Sequence, residues 1–262
     1  CSSDLFFLVT LLVAKLHGLK EERSMKRAII IGASSGIGYE LAVQLADLGY
    51  QLGLMARREA CLTDLSHSLP GDHFVQTIDL IDADTSRTQL ADLIKKIGDV
   101  ELIVVNSGVG ASEKKLDWNV ESEIIDVNVR GFTAMSMDAM NYFIQRGGGH
   151  LVGVSSVAAH FSGGLALTYH ATKAFVSSYL NGMRSRAARS GLPITITTVE
   201  PGFIDTPMLE TKPAWTAPVG KAVAQIVKAI INKKDHVYIT KRWVVVAGLF
   251  YILPSWLIRK FV

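Results

Sequence analysis

The stretch "TYHATKAF" puts a phenol, Tyr169, four residues before a primary amine, Lys173, in a segment of helical character. That spacing places both side chains on one helix face, close enough for an ammonium to act on a phenol. Free phenols titrate at about 10 and are poor bases at neutral pH, whereas a neighbouring cation stabilises the phenolate and eases proton transfer. A chain with seven tyrosines meets such a pair by chance often enough that the rest of the sequence must support it.

Support comes first from "IIIGASSGIGYELAVQLADLG", which reads as strand, glycine turn and amphipathic helix in succession. Gly32, Gly36 and Gly38 let the backbone turn sharply and approach a ligand, and the following helix N-terminus offers free N–H groups to a pyrophosphate. Tight packing alone also uses such glycines, but three of them ahead of a clean helix point to nucleotide binding. About 20 residues further on, an NAD site carries an acidic residue for the ribose 2′-hydroxyl. This chain reads "GLMARREA", with Arg57 and Arg58 at that place. A guanidinium suits a bidentate grip on a 2′-phosphate, so NADP(H) is expected over NAD(H), unless both arginines are merely solvated at a strand end.

A larger frame has to position these groups. A chain of 262 residues, 49% hydrophobic and 19% charged, can bury one large α/β core more readily than two small ones. A net charge of +3 is too mild for a nucleic-acid partner, and no basic run is interleaved with aromatics. Cys1 and Cys61 have neither CxxC nor ligand-like spacing, so no disulfide framework and no metal site is expected.

From Lys26 onward the short runs "RAIII", "QLGLMA", "HFVQTI", "ELIVV", "HLVGVS", "PITITTV" and "HVYIT" alternate with helical stretches near 37–49, 59–68, 84–97, 119–145, 168–190 and 218–232. Most of the runs lack strict polar alternation, as strands covered on both sides do. The alternation of strand and helix predicts a parallel sheet with helices on both faces. No linker or repeat interrupts the series, so residues 25–240 are expected to form a single domain. Residues 1–24 contain "LFFLVTLLVA", about half the length of a spanning helix, and read as a leader extension or as an N-terminal membrane anchor.

Together these pieces resemble the single-domain, NADP(H)-preferring branch of the short-chain dehydrogenase/reductase superfamily, over about residues 26–240. The resemblance implies an α/β, doubly wound (Rossmann) fold with a seven-stranded parallel sheet. "GASSGIG", with Gly32, Ser34, Ser35, Gly36, Ile37 and Gly38, looks like the family's glycine motif, with Ile31 where threonine usually precedes it. "IDL" implies that Asp79 and Leu80 meet the adenine. "VVNSGVG" is similar to the family's Asn-Asn-Ala-Gly segment, with Val105 in place of the first asparagine and Ser107 in place of the alanine. Asn106 and Gly108 remain, and Asn106 is expected near the adenosine ribose. "PGFIDTPM" resembles the nicotinamide-binding segment: Pro201 and Gly202 form its turn, and the Ile204 backbone and Thr206 are implied to face the carboxamide.

Asn128 in "DVNVRG", Ser156 in "GVSSVAA", Tyr169 and Lys173 match the family's catalytic tetrad in order and spacing. The interval to Tyr169 selects Ser156 over Ser155. The resemblance implies that Tyr169 protonates a carbonyl oxygen as hydride reaches the carbon from the nicotinamide. Lys173 would lower the phenol's pKa and bond the nicotinamide ribose, Ser156 would orient the substrate oxygen, and Asn128 would hold a water that relays protons. His170 points about 100° away from the tyrosine and is expected to serve packing, while His160 is expected at the pocket mouth.

Specificity in such proteins comes from the segments that here read "VAAHFSGGLAL" and "MLETKPAWTAP". They offer His160, Phe161, Leu165, Met208, Leu209 and Trp215, with Lys212 the one cation for a carboxylate, so an apolar ketone or aldehyde, or the matching alcohol, is expected. The tail "KRWVVVAGLFYILPSWLIRKFV", residues 241–262, leaves three uses open: packing over the pocket or a subunit partner, lying in a membrane interface, or spanning. The protein is expected in the cytoplasm, with peripheral membrane contact through the tail left open. A homodimer or homotetramer is expected through the helices near 119–145 and 168–190, where "AMSMDAMNYF" carries an apolar stripe. The competing reading is a non-catalytic NADP(H)-binding sensor or scaffold on the same fold.

Overall fold

The computed structural model describes residues 25–111, 116–161, 164–209, 212–213, 215–245 and 248. Its strands are β1 Arg27–Ile31, β2 Gln51–Ala56, β3 Phe74–Thr77, β4 Leu102–Val105, β5 Gly149–Val154, β6 Ile194–Pro201 and β7 His236–Ile239. Its helices are α1 Gly36–Asp47, α2 Glu59–Ser68, α3 Ala83–Ile97, α4 Trp118–Ile125, α5 Phe132–Arg146, α6 Leu167–Ser190 and α7 Val219–Ile231. All strand pairs are parallel, in one seven-stranded sheet of order β3-β2-β1-β4-β5-β6-β7. The strand order reverses between β1 and β4, where connections leave toward opposite faces and open a crevice at the carboxyl ends of the strands.

Period-two alternation divides each strand between two apolar layers. In β1, Ala28 and Ile30 pack with Leu41 and Leu45 of α1, Leu62 of α2 and Ile226 of α7. Ile29 and Ile31 pack on the other face with Leu93 of α3, Phe143 of α5 and Leu180 of α6. These four β1 residues are fully buried, and each large aliphatic side chain so placed contributes roughly 1.5–3 kcal/mol. Such coverage on both sides is why the runs look continuously apolar in the sequence.

Two of the three departures from the family pattern meet in space. Ile31 and Val105 are register partners on β1 and β4, and both side chains are fully buried in the same layer. An apolar residue on one strand is thus matched by an apolar residue on the next. Neither leaves a polar group unpaired.

The helix expected over 119–145 contains a fault. A π-helical turn, Asp126–Gly131, separates α4 from α5. Its wider path carries Asn128 to an inward position, 1% exposed, and Gly131 lets the backbone pass close to Leu80, whose Cβ would lie 2.6 Å from a Cβ built there. A π turn has no composition signal of its own, so the sequence reads straight through it. The stripe Ala134, Met135, Ala139, Met140 and Phe143 faces the sheet and is buried. It is core, not the subunit surface expected; the large apolar groups these helices expose are Trp118, Ile125, Leu167 and Phe175.

Past β7, residues 241–245 return over the Pro201–Gly202 turn. The Trp243 indole is buried and occupies the space that a Cβ on Gly202 would need, and Phe203 and Trp215 pack edge-on against it. Residues 1–24 and most of the tail lie outside the described residues. Among the described residues no helix is long and apolar enough to cross a membrane.

Val105→Asn should cost roughly 2 kcal/mol, because an amide would enter a fully apolar layer without a partner. Adding Ile31→Thr supplies a hydroxyl on the paired strand and should recover part of that loss in urea unfolding. Additive losses in the double variant would refute the proposed compensation.

Candidate active site

The glycine turn after β1 is shaped by close backbone approach. Gly32 adopts φ +95° and its N–H donates to the Met55 carbonyl at 2.7 Å. At Gly38, in the first turn of α1, any Cβ would overlap the Gly32 carbonyl and crowd the Asn106 amide at 2.7 Å. That amide donates to the Gly32 carbonyl at 2.9 Å, which ties the turn to the end of β4. Ser35 precedes α1 without capping it through its side chain, so first-turn N–H groups remain available to an anion.

Around this turn lies a cleft of about 830 Å³. Its wall includes Gly32, Ser34, Ser35, Gly36, Ile37, Arg57, Arg58, Asp79, Leu80, Asn106, Ser107, Gly108, Ser156, Tyr169, Lys173, Pro201, Gly202, Ile204 and Thr206, which were all singled out in the sequence. Gly38 and Asn128 stand just behind the wall. The two arginines differ. Arg58 Nη2 donates to Ser34 Oγ at 3.0 Å and closes a polar corner beside the glycine turn. Arg57 turns toward Glu123 of α4 at 3.4 Å, an exposed pair of little energetic weight. The Asp79 carboxylate accepts from the Ile81 N–H at 3.2 Å, which fixes the turn after β3.

The four polar residues at the other end come from three segments. Ser156 follows β5 and caps a short 3-10 turn, Val157–His160, by accepting from the Ala158 N–H at 3.1 Å. Tyr169 and Lys173 lie in the first two turns of α6. Asn128 accepts from the Val109 N–H at 2.9 Å and donates to the Val109 carbonyl at 2.7 Å, fastening the π turn to the loop after β4. A Cβ built on Gly108 would lie 3.1 Å from Lys173 Nζ and 3.4 Å from Asn128 Oδ1, so the ammonium and the amide oxygen flank this one glycine.

Electrostatics here depart from the sequence expectation. Lys173 Nζ donates to the Val154 carbonyl at 3.2 Å and lies 5.7 Å from the centre of the Tyr169 ring, over its face. Burial pushes the phenol above its usual value, with the Ser156 hydroxyl acting in the opposite direction. Burial also brings the lysine down to about 8. The protein alone therefore holds a neutral phenol beside a lysine that gives up its proton more easily, not a phenol already made acidic.

Apolar side chains of Val157, Phe161, Phe203, Met208 and Leu209 also line the cleft. Three residues expected there lie elsewhere. His160 pairs with Glu200, Leu165 is exposed, and Trp215 packs on Trp243. Lys212 is engaged by Asp205 at 2.8 Å. His170 does border the cleft, but its Nδ1 lies 3.0 Å and 2.7 Å from the carbonyls of Ala158 and Phe161, holding the loop after the 3-10 turn.

Known proteins share this architecture. A short-chain dehydrogenase from Burkholderia cenocepacia in complex with NADP superposes with a TM-score of 0.78 at 22% identity, covering 90% of this chain and 96% of that one. A Burkholderia phymatum short-chain dehydrogenase/reductase in complex with NAD gives 0.78 at 20% identity, covering 86% and 92%. In sequence, an uncharacterised oxidoreductase of Mycobacterium tuberculosis is 31% identical over 249 residues, 90% of this chain and 97% of its own length. The model of the short chain dehydrogenase family matches residues 26–217. The chain belongs to that family. It is an oxidoreductase of the short-chain type, with a single-domain Rossmann-like fold.

One buried group was not anticipated. Glu200 on β6 is 1% exposed and accepts from His160 Nε2 at 2.6 Å, His236 Nε2 at 3.1 Å and Ser177 Oγ at 2.6 Å. Burial alone would raise its carboxyl, but these bonds outweigh that and bring it down to about 2. The signal was present as a lone carboxylate in the β-branched run "PITITTVEPG". A charge inside a covered strand requires partners. Because the folded value lies below the ordinary 4.5, this carboxylate stabilises the fold above pH 4.5 and the contribution is lost as pH falls toward about 2. Glu200→Gln should therefore flatten the acid limb of urea-midpoint measurements; an unchanged limb would contradict the assigned bonding.

Proposed function

We propose that the chain transfers hydride between NADP(H) and a carbonyl or secondary alcohol, in the main reducing an apolar ketone or aldehyde. The observation that carries this reading is the convergence of Ser156, Tyr169 and Lys173 on one cleft whose other end is the glycine turn. The cleft fits a dinucleotide on its own features. Gly38 keeps the turn low, α1 presents free N–H groups, and Ser34 with Arg58 forms a polar corner suited to a 2′-phosphate. Arg57 is half exposed beside that corner and adds a second positive charge.

Along the cleft, Asp79 and Leu80 would meet the adenine, Asn106 its ribose, Lys173 the nicotinamide ribose, and the Ile204 backbone with Thr206 the carboxamide. The bound nicotinamide supplies or takes up the hydride. The remaining steps belong to the protein. Ser156 Oγ donates to the substrate oxygen and fixes its place next to Tyr169. The Tyr169 hydroxyl, kept protonated by burial, delivers its proton to that oxygen. Lys173, still largely cationic at neutral pH, stabilises the phenolate left behind, and Asn128 would hold a water that relays protons from solvent to the lysine. Apolar walls formed by Val157, Phe161 and Phe203 exclude water from the oxygen as it gains charge.

We also assign a homo-oligomer, with Trp118, Ile125, Leu167 and Phe175 as the exposed apolar groups available for the contact. A cytoplasmic location is part of the same reading. A non-catalytic nucleotide sensor is the alternative, and the turnover measurements below separate the two.

Tyr169→Phe should bind NADPH within about threefold of wild type yet lose at least about 1000-fold in kcat across a panel of apolar ketones. NADPH binding without any Tyr169-dependent turnover would favour the sensor. Arg58→Gln should weaken NADPH by about tenfold or more while leaving NADH nearly unchanged, as loss of one charge-assisted bond to phosphate predicts. Equal effects on both cofactors would remove Arg58 from the 2′-phosphate. Because kcat/KM reports groups of the free enzyme, its value for reduction should fall as pH rises past about 8, where Lys173 loses its charge.

A further inference from the structure

Glu200 does not line the cleft, yet two of the bonds it accepts come from segments that carry or flank the reactive groups. His160 closes the 3-10 turn that Ser156 caps. Ser177 stands one helical turn beyond Lys173 on α6. His236 opens β7, the strand beside Glu200's own. From Ser177 the contacts continue inward: its Oγ lies 2.8 Å from Ser155 Oγ, and Ser155 Oγ donates to the Lys173 carbonyl at 2.8 Å. Ser155 is the immediate neighbour of Ser156 in the chain.

We propose that Glu200 is a positioning residue for the reaction: it holds the Ser156 segment and the first turns of α6 at a fixed separation, so that Ser156, Tyr169 and Lys173 address one substrate oxygen. This rests on the roles given above to those three residues.

The proton inventory sets which of these contacts are hydrogen bonds. Ser155 and Ser177 own one hydroxyl proton each, while three short contacts link Glu200, Ser177, Ser155 and the Lys173 carbonyl. A carboxylate can only accept, so it claims the Ser177 proton and orients that hydroxyl. With the Ser155 proton on the Lys173 carbonyl, the 2.8 Å contact between the two serine oxygens holds no hydrogen, so the bond of Glu200 to α6 is the one to Ser177 itself. On the other carboxylate oxygen, His160 and His236 both approach through Nε2, so both donate N–H there. An apolar side chain would remove the acceptor that His160, His236 and Ser177 share and cut the link between the two segments. Glutamine keeps an acceptor for the imidazoles, and its amide N–H can meet the Ser177 oxygen with the hydroxyl reversed.

The test compares Glu200→Leu, Glu200→Gln and Ser177→Ala with wild type and Tyr169→Phe, measured well below each variant's Tm. Glu200→Leu should bind NADPH within about threefold of wild type but lose about 30-fold or more in kcat, since displacements below an ångström cost this much in an oriented site. Glu200→Gln should restore kcat to within about fivefold of wild type, and Ser177→Ala should fall by about fivefold. Loss of stability without loss of kcat in Glu200→Leu would overturn the proposal. Should that variant not fold, an unchanged kcat in Ser177→Ala would overturn it. Retained turnover in Tyr169→Phe would instead bring down the catalytic roles. Where no ketone is turned over by wild type, crystal structures decide: an unaltered Ser156 Oγ to Tyr169 Oη separation in Glu200→Leu or, if it does not fold, in Ser177→Ala counts against the proposal.

Discussion

The ammonium of Lys173 is the charge around which the site is arranged. At 5% exposure it has lost most of its hydration, and burial lowers its pKa to about 8. A cation stays in such a place only when neighbouring dipoles replace water. The Val154 carbonyl supplies one, and the Tyr169 ring face adds a weaker attraction. Asn128 comes within reach because the chain departs from α-helical geometry over Asp126–Gly131. An unbroken helix would rotate that amide out of phase with Gly108. The π turn is thus tied to the same demand as the buried amine, and the Val109 bonds hold it there.

The sheet makes this arrangement rigid. Ser155 and Ser156 continue directly from β5, whose register is fixed by six pairs with β6 and four with β4. Side chains alternate into two apolar layers, so a slip of one residue would reverse every one of them. Ser156 can therefore sit on a short connection at the end of β5 without adopting many conformations. The Ile31–Val105 pair belongs to the same logic. Two polar positions of the family pattern are replaced together by apolar ones in register, and the layer between β1 and β4 stays dry.

Behind the cleft, polar groups are grouped rather than dispersed. His160, His236, Ser177 and Glu200 satisfy one another at the edge of the sheet, with the carboxylate as common acceptor. In front, Trp243 packs into the space over Gly202, so the start of the C-terminal tail bears on the turn that follows β6. The cleft is thus backed by a charged cluster on one side and a tryptophan on the other, which differ in how they respond to pH.

The sequence by itself determined the alternation of strands and helices, the glycine turn and the identity of the residues now found around the cleft. Those features depend on local rules: period-two burial, backbone freedom at glycine, and helix spacing of four. Only the tertiary structure decided that His160 leaves the pocket for Glu200, that the stripe on α5 is core, and that Asn128 lies on a π turn. It alone decided that Arg58 rather than Arg57 meets Ser34. It also reversed the expected shift of the Tyr169 phenol, because desolvation depends on everything packed around a group and not on the neighbour four residues away. Spacing along a chain fixes which groups can meet, whereas burial fixes what charge they carry when they do.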